Sequence, residues 1–357
     1  MTVPKRPEKC QNCGFSTRHS HQKRGEVPKF VTCCNAWMCA YCRELRGCVD
    51  PASPQTAEMR SRHALAAVVP VNDGLYPRIP DTVYHGDPHS LSSSGARLLL
   101  AKTPAEFLQE RIEPPKPKKH YDEGHAAHYV VLGEGTQLKV LDPAVHGLKA
   151  DGKPADKPSA TAKWKAAEAA ARDEGKTVIT KAQMDNVQRM AGKVFQNPYA
   201  AKLLGKGDAE VSAYWHDDAT GVRLRARFDY LPERKGRQII VDYKTAISAA
   251  PAEFEKAIVN YGYNQQAAWY IDAAIEHGFD DPAFIFIVQM KAAPWLVSLH
   301  QIEPEWIELG RKKNREAIDL YAQCVATDTW PGHSDEIHTA QMPYWLRRQI
   351  ETETENA

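Results

Sequence analysis

Two carboxylates and a lysine near the middle of the chain have the types and spacing of a hydrolytic metal site. Asp242 and Lys244 stand two apart in Val241-Asp242-Tyr243-Lys244-Thr245, at the end of an apolar run. Alternate side chains of a strand share a face, so this carboxylate and ammonium point the same way. Upstream, Arg223-Leu224-Arg225-Ala226-Arg227-Phe228-Asp229-Tyr230-Leu231 alternates like a second strand, and residues 232–237 have turn composition. Folded as a hairpin, the two strands bring Asp229 beside Asp242. Paired carboxylates are hard oxygen ligands that suit Mg²⁺ or Mn²⁺, and a neighbouring lysine orients or deprotonates a water. Asp-x-Lys alone is a weak signal, so the surrounding elements must carry part of the argument.

Those elements begin with a meander of three strands, at about 210–215, 222–231 and 238–244, with Glu210 opening the first. Arg223, Arg225 and Arg227 share one strand face, either to track phosphate oxygens or simply to meet solvent. Residues 122–132 have helical spacing and place His125 and His128 three apart on one side. A single helical histidine is more often packing than ligand, and His128 gains weight only from the acidic strands downstream. Residues 251–274 read as one or two helices. Gln266 and Tyr270 lie four apart on one face there, with Tyr263 a turn earlier. A glutamine can hold a phosphate or a water and a tyrosine hydroxyl can donate to a phosphate, although the same face also suits packing on a sheet.

Further spacing predicts a capped helix after Ser92-Ser93-Ser94, another from Thr103-Pro104, and helices over 163–172 and 181–195 that cover the sheet or arch over the site. Strands at 283–289 and 294–300 and a closing helix over 303–325 complete an α/β core. Lys118 and Lys119 sit in a basic, proline-broken loop where DNA could enter, or which is merely solvated.

The chain has 357 residues, 43% hydrophobic and 25% charged, enough for one large domain and an appendage. A net charge of +1 advertises no polyanionic partner, so any nucleic-acid surface must be local. No apolar run approaches the roughly 20 residues of a membrane span, and the polar, basic start is unlike a signal peptide, which points to a cytoplasmic protein. Seven of the eight cysteines fall between Cys10 and Cys48. The knuckles Cys10-Gln11-Asn12-Cys13 and Cys39-Ala40-Tyr41-Cys42 are the expected ligands of a structural Zn²⁺, with an iron–sulfur cluster as the alternative. We therefore expect a cysteine-rich module at 1–50, a linker at 51–80 and the main domain at 81–350.

Asp229, then Asp242-Tyr243-Lys244, then a helix bearing Gln266-Ala267-Ala268-Trp269-Tyr270, together resemble the PD-(D/E)XK nuclease superfamily in its RecB-like branch. The wider set, with Glu210-Val211-Ser212-Ala213-Tyr214-Trp215 and Gly124-His125-Ala126-Ala127-His128, is most similar to the RecE (exonuclease VIII) type of phage and prophage exonuclease. The resemblance spans roughly residues 75–350 and implies a restriction-endonuclease-like core, a central mixed sheet flanked by helices. It implies two Mg²⁺ (or Mn²⁺) ions held by Asp229, Asp242, the carbonyl of Tyr243 and His128, with Glu210 assisting and Lys244 as general base. Gln266, Tyr270 and Tyr263 would meet DNA. The implied substrate is linear double-stranded DNA, degraded from 5′ ends to leave 3′ overhangs for a RecT-type annealing protein, by a homo-oligomeric ring. Another RecB-like nuclease, or a non-catalytic DNA-binding adaptor, would share these features. The cysteine-rich start departs from the family pattern.

Overall fold

The structure, a computed structural model, describes residues 29–31, 36–38, 69–113, 119–334 and 336–355. Cys10, Cys13, Cys39, Cys42 and Lys118 lie outside these residues, as does most of the expected linker. Two short strands near the start, β1 (Lys29–Val31) and β2 (Ala36–Met38), pair antiparallel.

The main domain opens with β3 (Gly74–Tyr76), α1 (Asp81–His85), the two-residue β4 (Leu91–Ser92), α2 (Ser93–Ala101) and α3 (Pro104–Ile112). Both predicted caps are present. Ser92 Oγ accepts the Gly95 N–H at 3.1 Å, and Thr103 and Glu106 form a reciprocal capping box with Pro104 at the first helical position. Next come α4 (Asp122–Leu132), β5 (Leu138–Leu141), α5 (Pro143–His146), α6 (Ala162–Asp173), β6 (Thr177–Thr180), α7 (Lys181–Gln196) and α8 (Pro198–Leu203). β5 and β6 pair parallel as a separate small sheet packed around Trp164, an element the sequence reading did not foresee.

The strands that carry the acidic residues follow: β7 (Gly207–His216), β8 (Arg223–Pro232) and β9 (Ile239–Ala246). After them run α9 (Pro251–Tyr261), α10 (Tyr263–Glu276), β10 (Ala283–Met290), β11 (Val297–His300), α11 (Pro304–Thr327) and α12 (Tyr344–Glu355). Gly262, at φ 64°, splits the predicted 251–274 helical stretch in two. The main sheet has the order β11-β10-β9-β8-β7-β3, with β4 joined to β8. It is mixed, since β9–β10 and β4–β8 are parallel and the other pairs antiparallel. Tyr76 pairs with Ser212 and Gly74 with Tyr214. The linker expected over 51–80 is therefore too long, because three residues of that polar stretch gain ladder hydrogen bonds on the β7 edge. No helix among the described residues is long and apolar enough to cross a membrane.

One face of the sheet is covered by α2, α10 and α11 around Trp269, Phe228 and Phe286, all essentially inaccessible. Each such side chain contributes about 1.5–3 kcal/mol by its burial. The other face packs α4 and α7 on Val241, Tyr243 and Ile287. α10 and α11 approach so closely that a Cβ at Gly310 would lie 2.4 Å from the Asn264 carbonyl oxygen. Gly310→Ala must wedge these helices apart, and should lower stability by about 1–3 kcal/mol. An unchanged urea midpoint would contradict this packing.

Candidate active site

Tyr230 and Val241 are the pair that joins β8 to β9. Beyond it the strands diverge, and β4 lies along the far half of β8, pairing Leu91 with Leu224 and Ser92 with Arg225. Asp229 and Asp242 are the next residues past the last β8–β9 pair, so both stand at the mouth of a fork. The Tyr243 N–H, deprived of a ladder carbonyl there, donates to Asp229 Oδ2 at 2.9 Å. On the other side of β8, the pairs Ala209–Tyr230 and Val211–Phe228 place Glu210 opposite Asp229. Three carboxylates thus occupy neighbouring positions on three adjacent strands. Glu210 adopts φ 54°, a left-handed conformation costly for a residue with a Cβ.

His128, on α4, reaches the same point from above. Its Nε2 lies 3.0 Å from Asp229 Oδ2 and its Nδ1 3.3 Å from Glu210 Oε1. Lys244 Nζ is 2.5 Å from Asp242 Oδ2, as the same-face spacing requires, and Gln266 Nε2 donates to Asp242 Oδ1 at 2.7 Å. Asp242 is fully buried. Arg227 adds a cation, 2.5 Å from Asp81 Oδ1 and 3.6 Å from Glu210 Oε2. Asp81, His128, Glu210, Arg227, Asp229 and Lys244 line an open cleft of about 1210 Å³, with Asp242 and Gln266 buried just behind its wall.

Charges at the fork are strongly coupled. Burial pushes Asp242 up to about 6, helped by the Asp229 carboxylate and opposed by Lys244. Burial likewise takes Glu210 up to about 7, although His128 and Arg227 pull it down. Burial opposes a charged His128, yet Asp229 and Glu210 outweigh it and hold the imidazolium up to about 9. Burial works against the Asp229 carboxylate, yet His128, Lys244 and the Tyr243 N–H together outweigh it and hold the group below its usual range. Lys244 is held above its ordinary value by Asp242 and Asp229 despite burial, so it is an ammonium.

A pH dependence follows for the metal-free protein. Asp242, Glu210 and His128 all bind protons more tightly folded than at their unperturbed values of 3.8, 4.5 and 6.5. The stabilisation from the two acids is complete below about pH 4 and lost as pH rises through about 6 and 7; that from His128 is complete below about 6.5 and lost through about 9. Asp229, shifted the other way, changes nothing in this window. Burial holds His85, His125 and His300 below their ordinary values, so their contribution rises with pH only up to about 6.5. Above that, urea unfolding in chelator should show stability falling by about 1–3 kcal/mol between about pH 6.5 and about pH 9. A flat or rising profile would contradict these assignments.

The other predicted residues divide clearly. Tyr263 and Tyr270 line the cleft, and Lys244 Nζ lies 5.2 Å from the Tyr263 ring centre. Tyr243 contributes only its main chain, since its hydroxyl turns away to Gln289 in the opposite core. Gln266 is buried on Asp242, so its amide orders a carboxylate and is not presented to DNA. His125 lines the cleft without contacting the acids. Lys119 pairs with Glu168 at 2.5 Å and lies outside the cleft, because the turn at 119–121 directs it toward α6. The arginine stripe does not face solvent as a whole: Arg223 is half-buried on the Pro70 carbonyl, and the other two are held inside the fold. Arg225 and Arg227 are buried under α1 and β4, on the Ser90 carbonyl and on Asp81, the Ile79 carbonyl and Ser212. Asp81 and Arg97, both in the cleft wall, were missed. Arg97 follows the serine cap by one helical turn, the one pattern that pointed to it.

The donor chemistry fits a hard divalent cation. Three carboxylates stand close together and largely out of water, which is why Asp242 and Glu210 hold protons so tightly. As the side chains stand, no three His, Cys, Asp or Glu groups among the described residues are arranged to hold a metal. Protonated His128 takes the position between Glu210 and Asp229, and Lys244 covers Asp242.

The profile of a family described as a PDDEXK-like domain of unknown function (DUF3799) matches residues 97–343. Among solved structures, a candidate exonuclease from Eubacterium rectale is similar at 10% identity and a TM-score of 0.48, over 76% of this chain and 98% of that one. The structure of SSO0001 is similar at 10% identity and a TM-score of 0.25, over 60% of this chain and 96% of its own. No curated protein matches in sequence.

Proposed function

This chain belongs to the PDDEXK-like family matched over residues 97–343, and from that premise we propose that it is a divalent-metal-dependent deoxyribonuclease that hydrolyses phosphodiester bonds. The observation that carries the proposal is the row of Glu210, Asp229 and Asp242 across three strands at a fork, with Lys244 alongside. Asp229, Asp242 and the Tyr243 carbonyl would hold Mg²⁺ or Mn²⁺, which when bound polarises the phosphodiester and acidifies a water. Gln266 fixes the rotamer of Asp242 through Oδ1, and Lys244 stands at the other oxygen, Oδ2, which a metal ion would have to share or take over. Lys244, an ammonium, supplies positive charge where the attacked phosphate gains negative charge, and a donor to align the attacking water. His128 must release its proton before its ring can act as a ligand, and Glu210 is positioned to receive that proton.

The order of motifs supports the finer reading of a RecE-type exonuclease. Its substrate would be linear double-stranded DNA degraded 5′ to 3′, leaving 3′ overhangs for a RecT-type annealing partner. The test is to incubate the full-length protein and Mg²⁺ with linear and circular duplexes labelled at either end. Nucleotides released from 5′ ends of linear DNA alone are the expected result. Nicking of the circle would replace the exonuclease reading by an endonuclease one, and no cleavage by metal-loaded protein would overturn the nuclease proposal.

A further inference from the structure

The cleft contains a second polar group, set apart from the carboxylates, at the start of α2. This nine-residue helix enters through the open side of the β8–β9 fork, because β4 pairs with β8 immediately before it. Ser93 lies in its first turn, is 4% exposed, and its Oγ has no hydrogen-bond partner. A buried hydroxyl left unsatisfied is uncommon and costs free energy unless a ligand completes it. Ser94 is exposed beside it, 3.1 Å from the Ser92 hydroxyl. One turn on, Arg97 has no carboxylate partner among the described residues. Its Nη1 donates to the Tyr261 carbonyl at 2.7 Å and its Nε to the Ser93 carbonyl at 3.4 Å, which leaves Nη2 without an acceptor among the described residues. Both Ser93 and Arg97 line the cleft. Gly262 makes room for this guanidinium, since a Cβ there would stand 3.0 Å from Arg97 Cδ.

A helix N-terminus with its positive dipole end, an unpartnered hydroxyl and a guanidinium lacking a counter-ion converge on one wall. Together they offer donors and positive charge to an anion with several acceptor oxygens. We propose that Ser93, Ser94 and Arg97 form a phosphate-binding subsite that grips a non-scissile phosphate of the nucleic acid while another phosphate lies at Asp229 and Asp242. The subsite rests on the nuclease reading for its occupant. Two sources share this chemistry, the terminal monoester of a 5′ end and an internal diester of the strand. Arg97 and Ser93 act in binding, and neither is placed at the reacting atoms.

The test uses full-length protein in chelator, so that no cleavage occurs, and fluorescence anisotropy of a linear duplex between about 50 and about 200 mM salt. Arg97→Gln should weaken binding about tenfold and reduce the slope of log K against log salt by about one, the signature of one lost phosphate contact. Arg97→Lys should restore the slope, and Ser93→Ala, which removes no contact within the protein, should weaken binding about threefold. A loss confined to 5′-phosphorylated duplex assigns the terminal monoester, and an equal loss on 5′-hydroxyl duplex assigns an internal diester; both support the subsite. Wild-type affinity and slope in folded Arg97→Gln and Ser93→Ala would overturn it. That outcome is separate from failure of the nuclease reading, which would appear as wild-type protein that does not cleave with Mg²⁺.

Discussion

Asp242→Asn is expected to lower kcat/KM for DNA cleavage by about 10³-fold or more while the protein remains folded, because it removes a metal-binding charge without changing shape. The substituted amide would keep an oxygen for the Gln266 side chain, so the 2.7 Å hydrogen bond can persist. It cannot neutralise Lys244, whose ammonium lies 2.5 Å from the present carboxylate. The loss should appear in kcat rather than in DNA affinity, since Asp242 is fully buried and, on the proposed reading, would meet the phosphate only through the ion. Full Mg²⁺-dependent activity in this variant would remove Asp242 from the mechanism.

Arg227→Met should be the most damaging single change to stability at the site, costing about 3 kcal/mol or more, because it deletes one partner of a buried charge network. Arg227 bonds Asp81, the Ile79 carbonyl and the Ser212 hydroxyl, and its guanidinium lies 4.1 Å from the centre of the Tyr84 ring. Removal leaves Asp81 and Glu210 facing each other without that cation, and Glu210 would hold its proton more tightly still. A urea midpoint within error of wild type would show that the network contributes nothing net. The cleavage rate of the variant should also fall, since Glu210 depends on Arg227 and His128 for its ionisation.

The acidic strands were legible because their signals are local. The apolar run ending in Asp242-Tyr243-Lys244, the turn before it and the alternation through Asp229 lie within about twenty residues, and a hairpin can align them in few ways. Helix α4 and the helical spacing of Gln266 and Tyr270 were legible for the same reason. The fork itself was not, since it depends on two residues of β4 displacing β9 from β8, a choice made by tertiary packing. Arg225 and Arg227 misled because a strand of alternating arginines looks solvated. Apart from Ser212 and Glu210 on the neighbouring strand, their partners at Ile79, Asp81 and Ser90 lie some 135–148 positions earlier in sequence, and nothing near the arginines announces them. β3 was read as linker because three residues on an edge carry little pattern of their own. Gln266 lies on the side of α10 that meets Asp242. Spacing offered its amide a phosphate, a water or packing on the sheet; a neighbouring carboxylate as its partner depends on where β9 lies, which no local pattern announces.

The central claim is that Asp229 and Asp242 converge on a divalent ion, and Mn²⁺ titration of the metal-free, full-length protein tests it most directly. Free Mn²⁺ measured by electron paramagnetic resonance should fall in the presence of wild-type protein, and the affinity should drop at least about tenfold in Asp229→Asn and Asp242→Asn alike. Equal Mn²⁺ binding by wild type and both variants would contradict the account.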